Sequence, residues 1–395
     1  MQCLMLDRSV SAKLSYICEK FRLPGDLVLH FSWIPKGHIN MAYHVSLEDG
    51  EDVRQYLIQR VNWYVYRDPV SMMHNSELIT GHLTEKGCRS LHYYRTDSGK
   101  PYLILRHEWR SFVDLEDIPE EQRPEVLTDE PWDAGWEFWR VADYVENSVT
   151  FESSEANAEV LRKAGLGFGR FERLLSDLDP ARLVESIAHF HDTPYRLSSL
   201  LGIVELDPMG RAKGIGEELS LIKEYREFAA SLQRGDLPVR ITHNDTKLNN
   251  ILFDKDSLEP LVIIDLDNCM PGHACYDFGD SIRFAACKAD KEHPENKKLD
   301  LGLFRAYAEG YLAEMKDELN SEEVDSLATG AAVITLELAA RYLEDYLIGD
   351  RYFRIDYPDQ NRKRAQAQLS LFRDMMLHMD DMQRIIRETM NRLGE

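Results

Sequence analysis

The chain has no G-x-x-x-x-G-K-[ST] run, so it offers no phosphate cradle of the P-loop kind. It has no C-x-x-C pair either. Its six cysteines (Cys3, Cys18, Cys88, Cys269, Cys275, Cys287) fit no zinc-site spacing, and a chain of this length needs no disulfide staple. Where a signal peptide would carry a long apolar core, the amino terminus reads MQCLMLDRSV. The longest apolar run toward the other end, Ala331 to Ala340, is short and contains Glu337, so it cannot span a bilayer. Positive charge is scarce: 47 Lys and Arg against 69 Asp and Glu give a net charge of −22, which repels duplex nucleic acid and anionic membranes. The expected setting is a reduced cytoplasm, with no nucleic-acid partner and no membrane partner.

What is present is ordinary for a globular enzyme: 395 residues, 44% hydrophobic and 29% charged. The first 110 residues read as strands with one helix. Leu27–Phe31, Ala42–Leu47, Gln55–Asn62 and Pro101–Leu105 are the strand candidates, and residues 70–88 have helical character. Residues 114–135 are dense in Asp and Glu with three prolines, which reads as an exposed insertion. Phe138 to Val145 forms a last strand running into a connector. From about residue 155 the apolar period becomes helical and stays so, apart from a strand-like pair around 250–265. The expected organisation is α+β and bilobal, with a small β-rich lobe over 1–145 and a larger, mainly helical lobe over 146–395.

The chemistry concentrates in Ile241-Thr-His-Asn-Asp-Thr-Lys-Leu-Asn-Asn-Ile-Leu-Phe253, followed by Leu261-Val-Ile-Ile-Asp-Leu-Asp267. Phosphoryl transfer asks little covalent work of a protein; it needs an oriented hydroxyl and neutralised phosphate charge. Asp245 can take the hydroxyl's proton. Asn250, five positions on, and Asp265, at the end of the apolar run Val262–Ile264, supply the oxygen donors that Mg2+ prefers. Lys247 can reach the transferred phosphate as a point charge. Taken singly, Asp245 is also a turn residue, Asn250 a loop cap and Asp265 a strand-end cap. Together at these offsets they point to one site. A non-catalytic binding module would be the reading if one of the three were replaced, and none is.

His-Asn-Asp-Thr-Lys-Leu-Asn-Asn resembles the catalytic loop shared by protein kinases and the aminoglycoside phosphotransferase and choline kinase group. The resemblance implies a protein-kinase-like fold, Asp245 as base, Asn250 and Asp265 as magnesium ligands, and ATP as co-substrate. Asp277-Phe278-Gly279 spells the protein-kinase metal triplet, but it lies 32 residues past Asp245 and follows Cys275-Tyr276 rather than an apolar strand. Asp277 and Asp280 are therefore expected to cap a helix and brace the catalytic loop.

On the nucleotide side only Gly37 marks the turn between the first strands, where a glycine-rich cradle would be expected. The strand cation is Arg60, as in choline kinases, and Glu77 on the following helix is expected to hold it; a weak surface ion pair is the alternative for Glu77. The connector Trp139–Val145 is where main-chain groups would meet adenine.

The closer resemblance is to N-acetylhexosamine 1-kinases. It rests on Gly37–Asn40, Gln59–Asn62, Glu146–Thr150, Phe190–Arg196, Asp265–Asp267, Tyr276–Phe284 and Arg341–Phe353. It implies phosphorylation of the anomeric hydroxyl of N-acetylglucosamine or N-acetylgalactosamine, with His38, Asp245, Arg341 and Tyr352 on the sugar and Phe284 nearby. Arg341 and Tyr352 could equally pack and pair within a helical region, and His38 could be an exposed turn residue. The expected partners are thus a small sugar and a nucleotide, with the chain a monomer or weak homodimer. A kinase of choline, homoserine or an aminoglycoside is the alternative.

Overall fold

Three apolar segments near the amino terminus pair as antiparallel strands: β1 (Leu27–Ile34), β2 (Met41–Asp49) and β3 (Asp52–Val61). The computed structural model describes residues 8–25, 27–35, 39–108, 111–123, 131–234, 236–289, 293 and 295–395. Two compact units divide the chain, one of residues 1–84 with 90–147, the other of residues 85–89 with 148–395.

The first unit holds a six-stranded sheet completed by β4 (Leu103–His107), β5 (Phe112–Asp114) and β6 (Trp136–Asp143), in the order β1-β2-β3-β6-β4-β5. Helix α1 (Arg8–Lys20) puts Leu14, Ile17, Cys18 and, just beyond it, Phe21 on one stripe, the spacing of an amphipathic helix. That stripe packs on Tyr43, Val45, Tyr56, Ile58, Trp139 and Val141. Side chains alternate along a strand, so the other face of β3 and β6 carries Gln59 and Arg140. The Arg140 guanidinium is buried there, donating from Nε to Gln59 Oε1 at 2.9 Å and from Nη1 to Met73 Sδ of α2 (Pro69–Glu85) at 3.6 Å. With both faces covered, β2 is buried at consecutive positions (Ala42 and Tyr43; Val45, Ser46 and Leu47).

The acidic segment 114–135 begins inside the fold: Asp114 and Leu115 are buried, and Lys20 Nζ meets Asp114 Oδ2 at 3.0 Å. This corrects the expectation of an exposed insertion at its start, while residues 124–130 of it lie outside the described residues. A lysine partner and the β5 ladder draw its first residues in, while Glu120, Glu121 and Gln122 stay exposed.

The second unit is mainly helical. Helix α3 (Ala158–Leu175) precedes α4 (Thr193–Leu206), α5 (Gly216–Glu224), α6 (Ala274–Ala285), α7 (Leu301–Met315), α8 (Ser321–Ile348), α9 (Gln360–Leu377) and α10 (Met379–Gly394). Helix α8 is its axis. Asn320 and Glu323 close a capping box at its start, and Gly349, at φ 98°, ends it in the left-handed conformation. The run Ala331–Ala340 is the buried middle of this helix. Among the described residues no helix is long and apolar enough to cross a membrane.

Helix α6 crosses α8 with no room for a side chain at the contact. A Cβ on Gly330 would lie 2.3 Å from the Cys275 carbonyl oxygen, and one on Gly279 would lie 2.7 Å from the Gly330 carbonyl carbon. This contact fixes α6, on which the site below depends. Two small antiparallel pairs sit beside it: β8 (Arg240–Thr242) with β11 (Met270–Gly272), and β9 (Ile251–Asp254) with β10 (Pro260–Ile263), the latter extended by β7 (Ser148–Val149).

Candidate active site

Strand β8 ends at Thr242, and the chain then turns through Asn244 at φ 61°. Asparagine tolerates this left-handed conformation because its short amide can bond locally. Here Nδ2 donates to the Asn268 carbonyl at 2.9 Å, and Oδ1 accepts from Thr242 Oγ1 at 3.0 Å.

The loop that follows is held from behind by α6. Asp277 takes the backbone N–H of His243 on Oδ2 at 2.6 Å and that of Asn244 on Oδ1 at 2.7 Å. Thr246 Oγ1 donates to the Asp277 carbonyl at 2.5 Å, and Ser281 Oγ to the Thr246 carbonyl at 2.7 Å. Burial pushes the Asp277 carboxyl up to about 6, against the two N–H donors that pull it down. Asp277 thus braces the loop as expected, from inside the first turn of α6 rather than from its N-cap, which is His273. Asp280 departs from expectation: its Oδ1 is bound by Arg283 Nε at 3.0 Å and by the same guanidinium's Nη2, which turns it along its own helix.

His243 ties the loop to the next strand. Its Nδ1 accepts the Asp245 N–H at 3.3 Å, so the ring proton sits on Nε2 and is donated to the Ile264 carbonyl at 2.9 Å. The Ile264 N–H in turn reaches the Asn250 carbonyl at 2.9 Å. These two bonds set the main chain next to Asp265, which adopts φ 61° and ψ 52°, past the end of β10 rather than on it.

The four residues expected to carry the chemistry come from this one loop and from the segment just past β10. Asp245 Oδ1 lies 2.8 Å from Lys247 Nζ. Asn250 Nδ2 donates to the Asp245 carbonyl at 2.8 Å and to its Oδ2 at 3.1 Å. Burial alone would raise the Asp245 carboxyl, but the charge and hydrogen bond of Lys247, with Arg283 farther off, hold it below the ordinary aspartate range. Burial pulls Lys247 down, and the fields of Asp245, Asp280 and Asp265 outweigh it and hold the ammonium above its usual range. The result is a carboxylate kept ionised in a sheltered place.

Among the described residues no group of three or more His, Cys, Asp or Glu could hold a metal. Magnesium does not need one, since it keeps waters and phosphate oxygens beside one or two protein donors. The donor set fits. Asn250 spends its amide nitrogen on Asp245, which fixes the amide and leaves Oδ1 as the atom that could take a cation, and Asp265 is anchored through its neighbour Ile264.

The expected sugar residues of this unit also meet in part. Arg341 Nη2 donates to the Tyr352 hydroxyl at 3.4 Å, and its guanidinium lies 5.6 Å from the centre of that ring. Tyr352 is 37% exposed and so open to a ligand, while Phe284 packs half-buried against the main core. His38 and Gly37 lie outside the described residues.

The Arg60–Glu77 clamp is not formed. Arg60 Nη1 pairs with Glu137 Oε1 at 3.1 Å, on a carboxylate shared with Lys13 of α1, and Glu77 pairs with Arg95. Strand alternation is the reason: Arg60 shares its face with Tyr56 and Ile58, toward α1, whereas Gln59 faces α2. The expected connector Trp139–Val145 is mostly strand as well, since Trp139–Asp143 belongs to β6. Three residues lie in segments quoted above but were given no role of their own: His243 as a bridge, Arg283 as a further charge on Asp245, and Arg196. Each depends on contacts that no local pattern displays.

Residues 87–316 match the family described as "Phosphotransferase enzyme family" (APH). Solved structures are similar across nearly the whole chain. One is a microcompartment-associated aminopropanol kinase, 15% identical with a TM-score of 0.59, covering 94% of this chain and 98% of its own. A choline kinase from Cryptosporidium parvum Iowa II is 10% identical with a TM-score of 0.58, covering 94% and 97%. A spectinomycin phosphotransferase, solved with ADP and spectinomycin, is 13% identical with a TM-score of 0.50, covering 96% and 98%.

Proposed function

We propose, from the premise that this chain belongs to the phosphotransferase enzyme family, that it transfers the terminal phosphoryl group of ATP to the anomeric hydroxyl of an N-acetylhexosamine. The observation that carries the kinase chemistry is the Asp245 carboxylate, held ionised between Lys247 at 2.8 Å and the Asn250 amide at 3.1 Å. In this reading Asp245 orients the acceptor hydroxyl and takes its proton. Lys247 moves from Asp245 to the incoming phosphate, which frees one carboxylate oxygen for the hydroxyl. Asn250 Oδ1 and Asp265 would hold magnesium, which would supply charge neutralisation on the phosphates. His243 and Asp277 keep the loop rigid, so that Asp245 need not reorganise during transfer.

The sugar acceptor is supported by the segments Asp265–Asp267, Tyr276–Phe284 and Arg341–Phe353, whose wording resembles N-acetylhexosamine 1-kinases. Arg341 and Tyr352 add hydrogen-bond donors and an aromatic face of the kind a neutral hexose uses. The similar folds named for aminopropanol and choline favour a second reading, a kinase of another small hydroxyl compound. A coupled ADP-release assay decides between them. Turnover on N-acetylglucosamine or N-acetylgalactosamine supports the first; silence on every N-acetylhexosamine, with turnover on choline, homoserine or an aminoglycoside, replaces it with the second.

A further inference from the structure

Arg196 and Arg341 are two arginines of the second unit that, among the described residues, have no carboxylate partner, although the chain carries a net charge of −22. The carboxylates near them are engaged elsewhere. Glu337, one turn before Arg341 on α8, accepts from His191 Nδ1 at 2.9 Å and from Thr193 Oγ1 at 2.6 Å. Glu344 accepts from Ser199 Oγ at 2.9 Å.

The guanidinium of Arg341 rests on an aromatic floor, 5.0 Å from the ring centre of Phe190, 5.6 Å from Tyr352 and 5.8 Å from Phe353. Arg196, on α4, reaches only the Ala188 carbonyl, from Nη2 at 3.5 Å. Its Nε is buried with no acceptor. Burial and the positive charge of Arg341 hold Arg196 below the ordinary arginine range, against the opposing fields of Glu337 and Glu344. A guanidinium offers five N–H groups in a planar fork that matches a carboxylate or a phosphate. Two such forks, one with a buried donor left over, match the geometry of an oxyanion.

We propose that Arg196 and Arg341 form an oxyanion subsite, which takes a carboxylate or phosphate group carried by the acceptor molecule at a point remote from its reacting hydroxyl. The inference deepens the acceptor reading above and rests on it only for placing Arg341 beside the acceptor. It makes Arg196 a specificity-determining residue and turns an ammonium-bearing acceptor away.

The test reads the Arg196 Nε–H signal directly, by nitrogen-15 NMR of the full chain with labelled arginine; its loss in Arg196→Lys identifies the signal. Sodium phosphate and sodium acetate are titrated separately, against sodium chloride at matched ionic strength. The subsite requires a saturable shift with at least one of the two anions, and in Arg341→Gln a half-saturation raised roughly tenfold or more, which is the loss of one charge-assisted contact. The charge-retaining Arg341→Lys variant stays nearer the wild type, which separates lost charge from lost fold. Tighter response to phosphate or to acetate names the group. A shift no larger than with chloride, or one unchanged in Arg341→Gln, overturns the proposal.

An activity arm compares N-acetylglucosamine with its 3-O-lactyl acid and its 6-phosphate. The preference for the matching anionic sugar over the neutral parent falls about tenfold in Arg196→Lys, and an unchanged preference counts against the subsite. If no sugar is turned over, the acceptor reading fails while the titration still decides the subsite.

Discussion

Asp277 grips the backbone of His243 and Asn244 with its two carboxylate oxygens, at 2.6 and 2.7 Å, from a helix that the Gly279–Gly330 crossing locks in place. The geometry of Asp245, one residue farther along, is therefore set by groups that need touch neither nucleotide nor acceptor.

Removing that grip should loosen the loop. In Asp277→Asn an amide N–H faces one of the two main-chain donors and leaves it buried without an acceptor. Urea unfolding should show a loss of about 1–3 kcal/mol with an unchanged slope. Turnover should fall with it, because the loop no longer fixes Asp245.

The proposed role of Asp245 as base is tested by Asp245→Asn. The shape is kept and the proton acceptor is lost, so turnover should drop about 10²–10⁴-fold. Nucleotide binding, followed by calorimetry, should persist.

Asn250→Ala removes a donor oxygen and the amide that bonds Asp245 Oδ2. The magnesium concentration giving half-maximal activity should rise roughly tenfold or more. A variant that keeps the wild-type magnesium dependence would remove Asn250 from the metal site.

Helix packing gives a prediction with no chemistry in it. Gly330→Ala would drive a methyl against the Cys275 carbonyl, where a Cβ would lie 2.3 Å from the oxygen. Unfolding should cost about 1–3 kcal/mol of stability, as overpacking does, and α6 should shift with the loop it carries.

A pH dependence follows from Glu172 on α3. Its Oε2 accepts from the Tyr311 hydroxyl at 2.7 Å, while its Oε1 is buried without a partner. Burial first, then the charge of Asp277, raises its carboxyl well above the usual glutamate range. The folded chain thus keeps a proton that the unfolded chain releases, so this group's contribution falls as pH rises from the unfolded value toward the folded one. The slope is at most about 1.4 kcal/mol per pH unit. Glu172→Gln keeps an acceptor for Tyr311 and has no proton to lose. It should gain on the wild type between pH 5 and pH 7 in thermal unfolding, and a gain that shrinks over that range would refute the assignment.

The offsets of Asp245, Lys247, Asn250 and Asp265 were legible in the sequence because loop chemistry is local. A carboxylate, a cation and an amide within six positions lie close together, whereas the return of Asp265 beside them is set by the Ile264–Asn250 bond just past β10. The division into a β-rich and a helical part was legible for the same reason, since side-chain period follows from backbone geometry. What Arg60 and Glu77 each pair with was decided by tertiary structure: one position along a strand reverses the face, and Arg60 falls toward α1 and Glu137. Arg196 and Arg341 lie more than a hundred residues apart in the sequence, and only the packing of α4 against α8 lets each feel the other's charge. Electrostatic fields act through space, and distance in space is what a linear sequence does not record.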